Sequence, residues 1–258
     1  MKNSNRLRIL IPLPQTDFDP TEVSVPWRAL KTRGHEVIFA TPSGEKGNAD
    51  DRMLTGRNLG ILKHVLMADQ NGLKAYEALE DATEFKQPIR YEDIDHSIYD
   101  ALLLPGGHAK GMRIYLESLI IQQTTASFFE VNKPVGAICH GTLVAGRSLS
   151  KKTHQSVLWG RKTTGLTKFQ ELMAWNLTRL WLRDYYRTYP ITLEDELKKY
   201  LKSPTDFLCG PLPFKRDTPQ NLKPGFTVLD QNYLSARWPG DAHKFAYEFI
   251  KLIEKTDF

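Results

Sequence analysis

Four short apolar runs limit what this chain can fold into. "LRILIPLP" (7–14), "HEVIFATP" (35–42), "YDALLLPGGH" (99–108) and "KPVGAIC" (133–139) each stop at proline, glycine or cysteine. None alternates polar with apolar, so each reads as a strand covered on both faces, as in a parallel sheet. The segments between them have helical periodicity. After the first run, Asp19 or Thr21 can cap a helix, Pro20 suits its first turn, and Gly34 closes it. The first forty residues therefore form a β-α-β unit. "ESLIIQQTTASFFEVN" and "GTLVAGRS" predict further helices, and "SVLWGRKTT" (156–164) predicts a strand. "FTVLDQNYLSAR" predicts a short strand with a turn in its middle, and "DAHKFAYEFIKLIEK" a closing amphipathic helix capped by Asp241. The fold class is α/β, an open, mostly parallel sheet in a three-layer sandwich.

Two stretches fall outside this alternation. Residues 43–98 contain amphipathic pieces, "GILKHVLMA" and "LKAYEALEDA", unlike sheet strands, and read as an insertion or small lid. Residues 166–224 read as a second inserted helical region, with Trp175, Trp181, Tyr185, Tyr186 and Tyr189 forming lid core more readily than a ligand box. The whole of 1–258 is read as a single domain carrying these insertions.

Composition removes several classes of function. With 35 Lys and Arg scattered among 30 Asp and Glu, there is no basic stripe for nucleic acid. The start, "MKNSNRLRILIPLPQ", has too short an apolar piece for a signal peptide, and no apolar run reaches membrane-spanning length, so cytoplasm is the default location. Two cysteines, Cys139 and Cys209, make neither a disulfide framework nor a zinc spacing, and no metal is expected. The glycines form neither a P-loop nor a dinucleotide fingerprint, so no cofactor is expected either.

The chemistry concentrates in "AICHG". Cys139 ends a strand, Gly136 and Gly141 flank it, and a helix follows, as at a nucleophile elbow of G-x-S-x-G type. A thiol at a helix N-terminus beside the imidazole of His140 should favour thiolate, giving Cys139 a depressed pKa and much faster alkylation than Cys209. In an open sheet, reacting groups gather beyond the carboxyl ends of strands. Three loops qualify, carrying Glu22, Gly106-Gly107-His108, and Cys139. Gly106 and Gly107 leave the backbone bare, so an N–H there and that of His140 can hold a developing oxyanion. His108 is as plausible in the pocket wall as in a loop cap. Glu22 also suits the first turn of a helix electrostatically. Cys209 and His243 read as structural.

The order "E…P", "LLLPGGH", "KPVGAICHG" and "GRKTTG" resembles the ThiJ/PfpI superfamily, relatives of the class I glutamine amidotransferase domain, over residues 6–42, 98–165 and 226–255. The resemblance implies a flavodoxin-like sandwich, with Cys139 as nucleophile, His140 as proton carrier, Glu22 as the carboxyl near the sulfur, and Gly106, Gly107, His108 and Gly141 around the oxyanion and substrate. The longer heat-shock chaperone and glutathione-independent glyoxalase branch looks nearest. In that branch's bacterial relatives an acid orients the histidine. Here Thr163, Thr164 and Gly165 stand in its place, and Glu171 is the nearest acid.

Two functions follow as expectations. One is a cofactor-free cysteine enzyme on small reactive carbonyls, converting 2-oxoaldehydes to 2-hydroxy acids. The other is a stress-responsive holdase for misfolded proteins, with Cys139 as redox sensor. A cysteine amidase or peptidase is a further alternative. The resemblance also implies a homodimer, unless the insertions cover the contact surface.

Overall fold

The structure, a computed structural model, describes residues 6–256. The basic start on which the leader reading partly rests, residues 1–5, lies outside them. Strand β1 (Arg8–Pro12) leads through the short β2 (Thr16–Phe18) into a helix at Pro20–Thr32. Strand β3 (Glu36–Thr41) follows, then β4 (Asn48–Ala49), β5 (Ile89–Arg90), β6 (Ala101–Leu104) and β7 (Val135–Ile138). A hairpin of β8 (Thr227–Asp230) and β9 (Tyr233–Ala236) closes the sheet before the last helix, Ala242–Lys255.

The main sheet has the order β5-β3-β1-β6-β7-β9-β8, parallel throughout except for the antiparallel β8–β9 edge. All four residues of β6 and of β7 are buried, as continuous apolar runs demand when helices cover both faces. The helices Pro20–Thr32 and Ala242–Lys255 pack together, and Leu119–Glu130 packs with Gly141–Arg147. A flavodoxin-like α/β sandwich results. Strand order reverses at β1 and β6, and ligands in such sheets settle beyond the strand ends at that point. The β1, β6 and β7 loops meet there.

Three expectations change. Residues 156–164 form no strand: Ser156 and Thr163 make only isolated bridges, to Leu149 and Phe207, because the sheet edge beyond β7 is taken by the β9–β8 hairpin. The 43–98 region is less separate than expected. Its β5 extends the sheet beside β3, its helix Gln70–Asp81 packs on Pro20–Thr32, and Tyr76, Leu79, Phe85 and Tyr91 join the main core. Asp241, expected as a helix cap, makes no side-chain capping bond. It pairs instead with the fully buried Arg237, at 2.8 Å (Nε–Oδ2) and 2.9 Å (Nη2–Oδ1), and also accepts from Phe226 N–H. Part of the aromatic 175–189 stretch forms lid core: Tyr186, with Trp175, Leu182 and Tyr185, packs on Met53 and Leu59 of the other insertion, whereas Trp181 is exposed and Tyr189 packs against the main core.

The Arg237–Asp241 pair stabilises by not being broken. Arg237→Met strands a buried carboxylate and is expected to lower the unfolding free energy by about 3–5 kcal/mol. Arg237→Met with Asp241→Leu is expected to recover most of it, measured by urea denaturation at constant m-value.

Candidate active site

The site is built from three backbone decisions. Asp19 caps the first helix, its side chain accepting from Thr21 N–H (2.8 Å) and Glu22 N–H (3.0 Å), which places Glu22 in the first turn pointing inward. The loop after β6 runs directly over the elbow. A Cβ on Gly106 would lie 2.7 Å from the Glu22 Oε2 and from the His140 nitrogen, and one on Gly141 would lie 2.1 Å from the Leu104 carbonyl oxygen. Only glycine permits that approach. Third, Cys139 itself has φ 55°, a left-handed conformation that costs a side-chain-bearing residue of the order of 1 kcal/mol or more. Ala236 C=O accepts from its N–H at 3.0 Å, and its own carbonyl accepts from Thr142 Oγ1 at 2.7 Å, so the strained turn is held from both sides.

Glu22, His140 and Cys139 are brought together and buried, Cys139 retaining 4% exposure. Glu22 Oε2 accepts from the Gly106 N–H at 2.9 Å, Oε1 has no hydrogen-bond partner, and the carboxyl and the Cys139 thiol are near enough for each to influence the other's proton. Burial pushes the Glu22 carboxyl well above the ordinary carboxylate range, with the nearby Asp19 adding to it. The same burial, with the Glu22 and Asp19 charges, pushes the Cys139 thiol up, against the His140 N–H, which lowers it. The depressed thiol pKa expected from the helix N-terminus is therefore overturned: desolvation outweighs a seven-residue helix. Carboxyl and thiol titrate as a pair, the carboxylate raising the thiol's affinity for a proton and the thiol lowering the carboxyl's.

His140 offers a different face. Its Nδ1 lies 3.6 Å from the Cys139 sulfur and its Nε2 3.1 Å from Thr188 Oγ1. Thr188 also donates to the His108 carbonyl at 2.5 Å. A carbonyl only accepts, so the one hydroxyl proton is committed and Thr188 must accept from Nε2–H. The tautomer follows: Nδ1 carries the lone pair facing sulfur. Burial lowers the imidazole pKa to about 3, with His108 adding to it, so His140 stays neutral.

Glu171 does not reach His140. Its carboxylate accepts from Leu193 N–H at 2.9 Å and pairs with Arg187 at 3.1 Å, while Thr188 occupies the position facing the imidazole. Reading from sequence missed Thr188, since a lone Thr in "YYRTYP" carries no spacing signal. His108 stacks on Tyr186 at 4.4 Å with its Nε2 buried and unpartnered, and burial lowers its pKa to about 4. Within residues 6–256 the Gly107 N–H makes no hydrogen bond, whereas that of Gly106 is used by Glu22. Gly141 serves the close approach to the β6 loop. Among the described residues no cluster of His, Cys, Asp or Glu has metal-binding geometry, and no helix is long and apolar enough to cross a membrane.

A strained cysteine between strand and helix, with a buried carboxyl from the first helix and a glycine loop beside it, defines a cysteine-elbow protein of the flavodoxin-like class. The model described as "ThiJ/PfpI family-like" matches residues 13–211, and the chain belongs to that family. It is 25% identical over 248 residues to a protein named a deglycase from Pyrococcus abyssi, covering 96% of this chain and 100% of that one. It is 25% identical over 242 residues to deglycase PfpI of Pyrococcus furiosus, covering 94% and 97%. A match at 29% identity to an uncharacterized protein of Schizosaccharomyces pombe takes in 54% of this chain and only 49% of that protein. Among solved structures, glyoxalase III from Candida albicans superposes with TM-score 0.62 at 19% identity, covering 95% and 97% of the two chains. Rapid Encystment Protein 24 kDa from Francisella tularensis superposes with TM-score 0.69 at 16% identity, covering 96% and 99%.

With the thiol pKa raised and the sulfur buried, iodoacetamide at pH 7 is expected to label the exposed Cys209 before Cys139. The Cys139 rate should climb with pH into the alkaline range, and Glu22→Gln should shift that profile downward by removing the carboxylate's repulsion of thiolate. Peptide mapping of both cysteines against pH measures this, and a Cys139 rate flat above pH 6 would contradict it.

Proposed function

We propose that the protein is a cofactor-independent cysteine enzyme that isomerises and hydrates small 2-oxoaldehydes to 2-hydroxy acids. The single observation that carries this is the pairing of a strained thiol with a buried carboxyl whose own pKa is raised toward it. Proton transfer is most efficient when donor and acceptor pKa values approach each other. Burial raises Glu22 toward the thiol and lowers His140 away from it, so Glu22 is the better partner for the thiol proton. Proteins named deglycases and the structure of a glyoxalase III among the similar chains support the substrate class.

The reaction divides into balanced steps. Glu22, as carboxylate, takes the thiol proton while sulfur bonds to the aldehyde carbon C1, and the C1 oxygen becomes an oxyanion held by the Gly107 and His140 N–H groups. That oxygen is protonated by Glu22, which then removes the hydrogen on C1. The electron pair moves to the C1–C2 bond, and the C2 carbonyl oxygen takes the proton back from Glu22, giving an enediol. The C1 hydroxyl proton then passes by way of Glu22 to carbon C2, leaving a 2-hydroxy thioester. Water cleaves the C1–S bond, giving the 2-hydroxy acid and restoring the thiol. His140 Nδ1 faces sulfur throughout as a neutral acceptor, and Thr188 is a positioning residue that fixes its ring and tautomer.

Purified protein with methylglyoxal and EDTA should form lactate. Cys139→Ala and Glu22→Gln are each expected to lower kcat by about a hundredfold or more. Thr188→Val is expected to lower it about tenfold without changing KM or the unfolding midpoint, and Thr188→Ser to restore it, because only the hydroxyl matters. Lactate formation equal to that of Cys139→Ala would remove the reaction.

A second reading rests on one observation. The helix Lys168–Leu182 exposes Phe169, Met173, Leu177, Leu180 and Trp181, with Leu212 beside Phe169 and Met173, as one apolar stripe. Such a stripe suits a holdase for unfolding chains. Leu177→Glu with Trp181→Glu is expected to reduce suppression of a heat-denatured enzyme's aggregation while leaving methylglyoxal turnover intact, and Cys139→Ala to do the reverse. Suppression unchanged by the double substitution would reject the stripe as the client surface.

A further inference from the structure

Cys139 and His140 are 4% and 1% exposed, so a reagent reaches the thiol only if something moves. The segment 184–190 lies over His140 and is tied down at Tyr185, Thr188 and Tyr189, whose hydroxyl donates to Glu117 at 2.8 Å and accepts from Arg147 at 3.0 Å. Tyr186 stacks on His108, Tyr185 Oη donates to Asp50 at 2.5 Å, and Thr188 bonds His140 and the His108 carbonyl. Its backbone carbonyls are gripped by guanidinium groups. Arg113 Nε donates to Thr188 C=O at 2.9 Å, and Arg187 Nη2 donates to Pro190 C=O. The segment begins at Arg183, whose φ of 52° and ψ of −123° put a non-glycine residue in a sparsely populated conformation.

Immediately outside Thr188 is an open pocket of about 410 Å³ lined by Lys110, Arg113, Arg187, Asp184, Trp175 and Tyr189 with Pro190. Asp184 is occupied by the Trp175 indole N–H at 3.2 Å, and Glu171 offsets Arg187 from below. Lys110 makes no hydrogen bond or ion pair within the described residues, and the positive charge of the pocket exceeds the negative. Arg113 spends its N–H groups on the neutral Thr188 carbonyl, and Arg187 divides its own between the Pro190 carbonyl and Glu171. Arginine prefers a charged, planar oxygen pair to a carbonyl, since charge-assisted hydrogen bonds are about twice as strong.

We propose that this pocket binds an oxyanion, carboxylate or phosphate, between Lys110, Arg113 and Arg187, and that the anion takes Arg113 from the Thr188 carbonyl and so releases the segment covering Cys139. The anion acts because it binds the released arrangement better than the covered one, where Arg113 is already engaged. The oxyanion comes either free from solution or as part of the substrate: the lining residues Arg187 and Tyr189 flank Thr188, which bonds the imidazole. The inference concerns access to the thiol and does not depend on the 2-oxoaldehyde reaction.

The test is alkylation of Cys139 in the full chain, with Cys209 as internal reference. The thiolate forms its S–CH2 bond as iodide leaves, so no turnover is needed. Inorganic phosphate, against chloride at equal ionic strength, is expected to raise the iodoacetamide rate at Cys139 saturably by about tenfold, an ordinary coupling between two sites, and to leave Cys209 unchanged. Iodoacetate, which carries its own carboxylate, is expected to favour Cys139 over Cys209 relative to iodoacetamide. A phosphate effect on the neutral reagent assigns a free anion, whereas preference for iodoacetate alone assigns the substrate's own anion, and either supports the pocket. Lys110→Met, which breaks no bond of the fold, should raise the half-saturating anion concentration several-fold. Arg113→Met should raise the phosphate-free Cys139 rate and abolish the response. A Cys139 rate indifferent to phosphate, with no preference for iodoacetate, would overturn the proposal. So would a response that survives both substitutions.

Discussion

The hydrogen bond from Gly106 N–H to Glu22 is the contact on which the rest of the site depends. It fastens the first turn of the first helix to the loop beyond β6, and both lie against the backbone that precedes His140. Burying a carboxyl there is costly as an anion and cheap as an acid, so the site raises its affinity for a proton and places a group that can take one beside a thiol. The Gly106 carbonyl adds a second link, accepting from the Asp19 N–H at 2.9 Å, so helix and loop are tied through both backbone groups of that glycine. Without the close glycine approach, the amide could not reach.

The same burial explains why a thiol at a helix N-terminus is not a ready thiolate here. Two partial charges from a short helix and one N–H compete with the loss of water from the whole sulfur, and water wins. Reactivity then depends on when the proton leaves and what uncovers the sulfur, not on a standing population of anion. That suits a nucleophile meant to act only on a substrate already in place, and it protects the sulfur from solvent oxidants between turnovers.

Much of this was legible in the chain. The uninterrupted apolar runs ending at Pro12, Pro105 and Cys139 are strands because nothing in them faces water, and the strand-end loops carried Glu22, Gly107 and Cys139 visibly. Residues 156–164 misled because "SVLWG" has strand composition. Composition does not reveal that the hairpin at 227–236 already pairs with β7. Asp241 looked like a cap because it precedes a helix. Its partner Arg237 sits four residues earlier, on the preceding strand end, a pairing no local rule anticipates. Thr188 was invisible for a related reason. Its role comes from meeting a histidine 48 positions away, and an acid was sought where a hydroxyl stands.

That hydroxyl has a consequence for traffic through the site. The hydrogen bonds run in one sense, from His140 Nε2–H to Thr188 oxygen and from Thr188 O–H to the His108 carbonyl. A carboxylate at the end of such a chain could store a proton and pass it on. A peptide carbonyl can do neither. The imidazole side of the cysteine is a closed circuit, wired for orientation and insulated against current. In the proposed reaction, the protons of the reacting atoms then travel by the opposite wall, through the carboxyl of Glu22.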